Sequence, residues 1–160
     1  MQEKGQAPNV ITFTAAIRAC ASVDCALRLV ARMRELLLQP NTMTYSAVLT
    51  VCSRGACWAA ALAVLEEARS RARVCDAIMF NTSAGVCAKS ARWESILQLL
   101  VSMRTWRYNP DVITYNTLVD ACRRADEWQQ ALLHFDGMIA AHILPDVISH
   151  SSCISAAQSG

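Results

Sequence analysis

Hydrophobic and polar residues alternate along this chain with the period of amphipathic helices. Within 112–146, a first run places its apolar residues on one helix face, and a second run does the same after the polar break at 124–127. Pro145 ends the second run. Two helices with one apolar stripe each cannot bury both stripes alone, so this pair requires similar pairs beside it.

The same helix pair recurs along the chain with a period of 35 residues. Three successive pairs each carry a cysteine in the first run, a tryptophan at the start of the second run and an aspartate at the end: Cys52, Cys87, Cys122, Trp58, Trp93, Trp128, Asp76, Asp111 and Asp146. Helix pairs repeated at this spacing predict an all-α solenoid of stacked helix–turn–helix units, without strands. We expect the three tryptophans to pack in the core between helices.

The repeat frame divides the chain into four complete units and two partial ones: 1–9 (tail of a truncated preceding repeat), 10–41 (repeat 1), 42–76 (repeat 2), 77–111 (repeat 3), 112–146 (repeat 4) and 147–160 (first helix of a truncated repeat 5). Repeat 1 is three residues shorter than the others, and we place the loss between Cys20 and Ala26, as a shortened turn. A turn tolerates a deletion because neither helical stripe shifts out of phase. Units cut at both ends are expected to leave apolar surface open for protein partners or self-association.

Composition fits a continuous core, with 54% hydrophobic and 18% charged residues. No uncharged apolar run is long enough to cross a bilayer, so no membrane association is predicted. No targeting segment is visible. The net charge of +2 is below the strongly basic balance typical of tight nucleic-acid binders.

The chemistry-bearing residues favour a binding module over an enzyme or a metalloprotein. One cysteine per first helix falls at the apolar seam: Cys20, Cys52, Cys87 and Cys122. No C-x-x-C spacing occurs among the eight cysteines, so they are predicted to be reduced core thiols of an intracellular protein, with no metal and no cofactor. There is no glycine-rich phosphate loop and no recognisable nucleophile with its base, so no enzymatic activity is predicted.

The repeat that opens with PDVITYNTLVDAC and closes with a methionine and Pro-Asp resembles the pentatricopeptide repeat. The main alternative is the 34-residue tetratricopeptide repeat, which binds peptides, but that repeat carries its tryptophan in the first helix rather than the second. The resemblance implies a right-handed α-solenoid whose first helices line the concave face and bind single-stranded RNA.

The resemblance also implies that the fifth and last residues of each repeat select one base. The pairs are Thr14 with Asn41, Ser46 with Asp76, Asn81 with Asp111, and Asn116 with Asp146. They resemble readers of adenine, guanine, uracil and uracil, and the family binds RNA parallel to the chain, so the implied core is 5′-A-G-U-U-3′. Two departures from the family's repeat pattern are expected to affect these base sites. Cys75 replaces the usual proline and should loosen the placement of Asp76, and the shortened first repeat should tilt the Thr14 site.

An apolar residue stands three positions before each fifth residue and would pack against the bases: Ile11, Met43, Ile78, Ile113 and Ile148. From the residues alone, sealing of contacts between repeats is the favoured role for these side chains, and the resemblance favours base packing. A basic residue recurs near the end of three first helices, where the family approaches phosphates: Arg54, Lys89 and Arg124.

Three hypotheses about function therefore stand. The resemblance favours RNA binding in a mitochondrion or plastid, serving RNA processing, stability, editing or translation. The same face could instead accept an extended peptide, as a protein-interaction scaffold. A catalytic domain could also lie elsewhere on a longer parent chain.

Overall fold

The computed structural model describes residues 9–72 and 74–158, and these ranges contain nine α-helices and no strand. The helices are α1 (Val10–Ala19), α2 (Val23–Glu35), α3 (Thr42–Gly55), α4 (Trp58–Glu67), α5 (Ala77–Lys89), α6 (Trp93–Thr105), α7 (Val112–Arg124), α8 (Trp128–Ala140) and α9 (Val147–Ala157). A π-helical segment, Ala68–Ala72, continues α4. The predicted tail of a preceding repeat lies outside the described residues, apart from Asn9.

The first helix of each pair begins at a side-chain cap. The residue before it accepts a hydrogen bond from the backbone N–H three positions later, and the caps are Asn9, Asn41, Asp76, Asp111 and Asp146. Such a cap satisfies an amide that has no partner within the helix and typically contributes ~1 kcal/mol. The residue that closes one predicted repeat therefore starts the helix of the next.

The helices form two layers. The first helices α1, α3, α5, α7 and α9 pack against one another in order, and each second helix packs against its own first helix and the following one. The buried aromatic residues of this arrangement recur at one position of the first helices: Phe13, Tyr45, Phe80 and Tyr115. The prediction of an all-α solenoid of stacked helix pairs is confirmed.

The recurring tryptophans each occupy the first position of a second helix, at Trp58, Trp93 and Trp128. All three are half-buried and pack against the core. Their assignment to packing between helices is confirmed, although none of them is fully buried.

The three residues missing from the first repeat come from the end of α1. This helix has 10 residues, whereas α5 and α7 have 13 each. The connection between α1 and α2 spans 20–22, the same length as the connection 90–92 between α5 and α6. The loss lies between Cys20 and Ala26, where the sequence places it, but it shortens the helix, so its assignment to the turn is wrong. The apolar stripe still stays in phase, because the missing turn lies beyond its last buried residue, Cys20.

Second helices are tied to the next first helix by a recurring hydrogen bond. A guanidinium nitrogen of Arg34 in α2 lies 3.1 Å from the hydroxyl oxygen of Tyr45 in α3. Arg104 in α6 makes the same contact with Tyr115 in α7 at 2.9 Å. The intervening unit has Phe80 at this position, which carries no hydroxyl. This hydrogen bond is therefore present between α2 and α3 and between α6 and α7, but not between α4 and α5.

Candidate nucleic-acid interface

The outer side of the first-helix layer carries a ladder of exposed apolar side chains, which we call the open face. Its members are Ile11, Met43, Ile78, Ile113 and Ile148. Their exposed fractions run from 55% at Met43 to 77% at Ile11. Side chains this exposed do not seal contacts between repeats. Regularly spaced apolar groups left in solvent are typical of a binding surface.

Beside this ladder, the fifth and last residues of repeat 4 are joined directly. Nδ2 of Asn116 donates to Oδ1 of Asp146 at 3.0 Å. The hydroxyl of Ser149 donates to the amide oxygen of the same asparagine. The pKa of the Asp146 carboxyl is lowered, first by the backbone N–H of Ser149 and then by the Asn116 amide. The carboxylate is therefore ionised and oriented at neutral pH.

Repeat 3 has the same arrangement with a threonine in place of the serine. Nδ2 of Asn81 lies 3.3 Å from both carboxylate oxygens of Asp111. The Thr114 hydroxyl donates to the Asn81 amide oxygen at 2.7 Å. The structure thus brings together the two residues that the resemblance pairs, in both predicted uracil sites.

In repeat 1 the paired residues are bridged rather than bonded. The Thr14 hydroxyl donates to the carbonyl of Val10 at 2.7 Å and lies 3.1 Å from the Thr44 hydroxyl. Thr44 in turn lies 3.1 Å from Oδ1 of Asn41. Thr14 is buried, unlike the fifth residues of the other repeats.

Repeat 2 is the exception. No hydrogen bond joins Ser46 to Asp76 in the described part of the chain, and the position that bridges the other sites is occupied by the fully buried Met79. Contrary to the expectation for Cys75, Asp76 keeps its cap contact, accepting from the Met79 backbone N–H at 2.8 Å. The Tyr108 hydroxyl donates to the carbonyl of Cys75 at 2.6 Å and fixes this segment in place of the missing proline ring.

Cavities open between neighbouring members of the ladder. One of about 450 Å³ lies between Ile113 and Ile148 and is lined by Asn116, Asp146 and Lys89, among others. A second, of about 280 Å³, lies between Ile11 and Met43 beside Thr14 and Asn41. In each case two apolar side chains flank a space whose wall contains a predicted base-selecting pair. Such a space suits a flat aromatic ring with a polar edge.

The basic residues at the helix ends contact protein in the structure. A terminal guanidinium nitrogen of Arg54 donates to the carbonyls of Arg18 and Cys20, at 2.8 Å and 2.9 Å. Lys89 donates to the carbonyl and hydroxyl of Ser53, at 3.0 Å and 2.8 Å. Both cations thus cap the carbonyl end of the preceding first helix, where the helix dipole favours positive charge.

Arg124 differs, because it donates to Asp120 of its own helix at 2.7 Å. Arg124 and Lys89 also line the cavity between Ile113 and Ile148. Capping accounts for the recurrence of Arg54 and Lys89 without any ligand, so a phosphate role for the three cations stays a prediction.

Sequence reasoning missed the third residue of each repeat, whose hydroxyl contacts the capping residue before it: Thr12, Thr44, Thr114 and Ser149. The last three are fully buried. The recurrence of a hydroxyl three positions after each cap, broken only by Met79, was the signal that could have revealed them.

The cysteines at the seam are buried as predicted. Burial raises the pKa of Cys52 and Cys87 to about 11 and that of Cys122 to about 12. Within 9–72 and 74–158, no group of three or more histidine, cysteine or acidic side chains could hold a metal ion. The described helices include none with the length and apolarity needed to cross a membrane.

Comparison with known proteins places this geometry in a family. A search of curated proteins finds no match. Among solved structures, the pentatricopeptide repeat protein PPR10 from maize superposes with a TM-score of 0.77 at 26% identity, covering 94% of this chain and 22% of that one. PPR10 in complex with an 18-nt psaJ RNA element gives 0.76 at 16% identity, covering 96% and 23%.

The PPR domain of Arabidopsis thaliana protein-only RNase P 1, solved in complex with tRNA, gives a TM-score of 0.69 at 16% identity, covering 93% of this chain and 77% of that one. The chain spans about a fifth of the PPR10 chains it matches. The family model described as "Pentatricopeptide repeat domain" matches residues 1–54 and 74–158. The chain therefore belongs to the pentatricopeptide repeat family.

Proposed function

We propose that this chain is a sequence-selective module for single-stranded RNA, which binds bases along the open face. The observation that carries the proposal is the cavity between Ile113 and Ile148, whose wall holds the oriented pair of Asn116 and Asp146. The apolar side chains provide surfaces on which a base can pack, and the amide provides hydrogen bonds to its edge.

Two of the similar structures support the choice of ligand. PPR10 was solved with an 18-nt RNA element and the Arabidopsis domain with tRNA. At 16% identity, these similarities show only a shared fold. RNA binding by this chain is therefore proposed from family membership together with its own open face.

The proposed core is 5′-A-G-U-U-3′, with one base for each of the four predicted pairs and the RNA parallel to the chain. The proposed setting is RNA processing, stability, editing or translation in a mitochondrion or plastid, the compartments implied by the family. The role proposed for these residues is binding rather than catalysis.

The expected affinity is modest. Stacking contributes ~1–3 kcal/mol per base in single-strand binders, and ordering the RNA offsets several kcal/mol of that gain. We expect dissociation constants of about micromolar or weaker, with a shallow dependence on salt.

The experiment replaces Asn116 by Thr and measures binding of short RNAs that differ only at the fourth base of the core. The substitution leaves Asp146 without its amide partner but keeps a hydroxyl beside Ser149, as Thr14 lies beside Thr44 in repeat 1. Preference at the fourth base should move from uracil toward guanine, the base proposed for the hydroxyl–aspartate pair of Ser46 and Asp76. A good base-edge contact is worth ~1–3 kcal/mol, so the change should be measurable by NMR titration even for weak binding.

Gln129→Thr in α8 is the matched control, because it exchanges the same kinds of group on an exposed position of a second helix. It should leave base preference unchanged. A folded parent chain that binds none of these RNAs at millimolar concentration would contradict the proposal. Capture of extended peptides that RNA does not displace would favour the scaffold instead.

A further inference from the structure

The buried hydroxyl at the third position of a repeat contacts both base-selecting residues that precede it. In the third site, Thr114 lies 2.7 Å from the Asn81 amide oxygen and 2.9 Å from Oδ1 of Asp111. In the fourth, Ser149 contacts Asn116 and lies 2.9 Å from Asp146. The hydroxyl itself is fully buried in both sites and lies behind the open face.

Hydrogen-bonding capacity dictates the orientation of the asparagine in this arrangement. An ionised carboxylate only accepts hydrogen bonds, so Asp111 requires the NH₂ end of Asn81 to face it. The amide oxygen then faces Thr114, which can donate its one hydroxyl proton to that oxygen. Asp111 alone still requires the NH₂ end to face it, but a single partner leaves the amide plane free to swing about that contact. The Thr114 hydroxyl supplies the second fixed point.

The orientation matters because an amide has two donors and two acceptor sites. The two protein contacts use one of each, and one donor and one acceptor remain for a base. Uracil offers an acceptor at O4 beside a donor at N3. Cytosine offers a donor at N4 beside an acceptor at N3, the reverse order. An amide held at both ends therefore presents its remaining donor and acceptor to uracil in matching order, whereas an amide held only by the carboxylate does not keep both groups aligned with one base edge.

We propose that Thr114 and Ser149, the third residues of repeats 4 and 5, are positioning residues that make the preceding asparagine selective for uracil over cytosine. The proposal rests on RNA binding at the open face. These hydroxyls do not touch the base; they act through the asparagine that does. Specificity in each site therefore depends on the repeat that follows it.

The second site supplies an internal comparison. Met79 replaces the hydroxyl there, and Ser46 has no hydrogen bond to Asp76 or to the third residue. The Met79 backbone N–H still holds the Asp76 carboxylate, but no hydrogen bond to either of these residues orients the Ser46 hydroxyl. We expect the parent chain to discriminate among bases less sharply at the second position of its RNA than at the third.

The test compares the parent chain with Thr114→Val, which preserves the buried volume but removes the hydroxyl. Thr114→Ser restores the hydroxyl, and Ser149 shows that serine is accommodated at this position. Thr105→Val is the matched control, because the Thr105 hydroxyl donates only to the Val101 carbonyl of its own helix at 2.9 Å. Each chain is titrated by NMR with four short RNAs that differ at the third base of the core.

The parent chain, Thr114→Ser and Thr105→Val should prefer uracil over cytosine by about fivefold or more, the ratio for ~1 kcal/mol of discrimination. Thr114→Val should lose most of that ratio by losing affinity for uracil, and the Asn81 side-chain NH₂ resonances should shift without RNA. An unchanged ratio in a folded Thr114→Val chain would overturn the positioning role while leaving RNA binding intact. A parent chain that binds none of the four RNAs would instead remove the function on which the inference rests.

Discussion

Replacing Arg54 by Met tests whether the recurring cations at the helix ends hold repeats together or bind phosphate. The substitution keeps most of the aliphatic stem, which can still cover apolar surface, and removes the two hydrogen bonds to the last carbonyls of α1. These bonds matter more here than elsewhere, because α1 has lost its own last turn and ends at those carbonyls.

The magnitude follows from the geometry. A hydrogen bond involving a charged donor contributes ~1.5–3 kcal/mol when well formed, and a cation at a helix C-terminus a further ~0.3–1 kcal/mol. Arg54 is exposed, so solvent competes for its guanidinium and the lower end applies. We expect the free energy of unfolding to fall by ~1–2 kcal/mol. For a chain of this size that corresponds to a melting temperature lower by roughly 3–6 °C.

Thermal unfolding followed by circular dichroism at 222 nm measures the effect, with Arg124→Met as the matched comparison. Arg124 makes only an exposed ion pair with Asp120 of its own helix, and such pairs contribute ~0.3–0.5 kcal/mol. Arg54→Met should therefore melt clearly below Arg124→Met. Because helical repeats can unfold in parts, the ranking of variants is more informative than the absolute values.

The salt dependence of RNA affinity separates the two roles. Loss of one phosphate contact lowers the slope of log K against log salt by ~1. Arg54→Met should leave this slope unchanged, since its guanidinium is already engaged by carbonyls. Equal melting temperatures for the two variants, together with a lower slope for Arg54→Met, would refute the capping role and assign Arg54 to phosphate.

Two further predictions concern repeat 4. Trp128→Ala should lower the free energy of unfolding by ~2 kcal/mol, as measured by thermal melting. The effect is smaller than the ~3–5 kcal/mol of a fully buried aromatic residue, because Trp128 is half-buried. RNA titration should show that the preferred bases do not change. ¹³C NMR should show that the Asp146 carboxyl titrates below its ordinary pKa. The stability from capping α9 and from the hydrogen bond to Asn116 should therefore be fully present above that ordinary pKa, and should be lost as the pH falls through the pKa of the folded state. A carboxyl that titrates at or above its ordinary value would contradict the observed contacts.

Much of the architecture could be predicted from the sequence, because each repeated residue does the same physical task in every unit. Trp93 and Trp128 recur because each begins a second helix against the core, and Cys87 and Cys122 because a small side chain fits the seam. The pairing of Asn116 with Asp146 came from the resemblance rather than from spacing alone.

Helix ends were harder to predict, because the residues that terminate these helices carry little signal. Left-handed backbone conformations follow several helices at residues other than glycine, including Leu37, Ala91, Asp126 and His142. Glycine is the usual marker of such a position and is absent from these four. The end of α1 has no left-handed residue, because Cys20 after it is extended, so it carries no marker in the sequence either. The three-residue deletion lies between Cys20 and Ala26, as predicted, but for that reason it was assigned to the turn rather than to the end of α1.

The contacts between repeats could not be predicted either, because a period of 35 gives the position of a residue but not its partner. The sequence places a basic residue at 54 and 89, and only the structure shows that each caps the helix before it. In the same way, Thr114 reads as an ordinary capping-box residue until its contact with Asn81 is seen.

These contacts make folding and the proposed base selection depend on the same atoms. The carboxylate of Asp146 caps α9 through the Ser149 backbone and at the same time orients Asn116. The last position of a repeat is therefore restricted to side chains that can do both, and asparagine and aspartate are among the best N-caps. Asn41 and Asp146 satisfy the same capping requirement while presenting different groups to the fifth residue, an amide in one case and a carboxylate in the other. The proposed base selection can thus vary between repeats without weakening the helices that carry it.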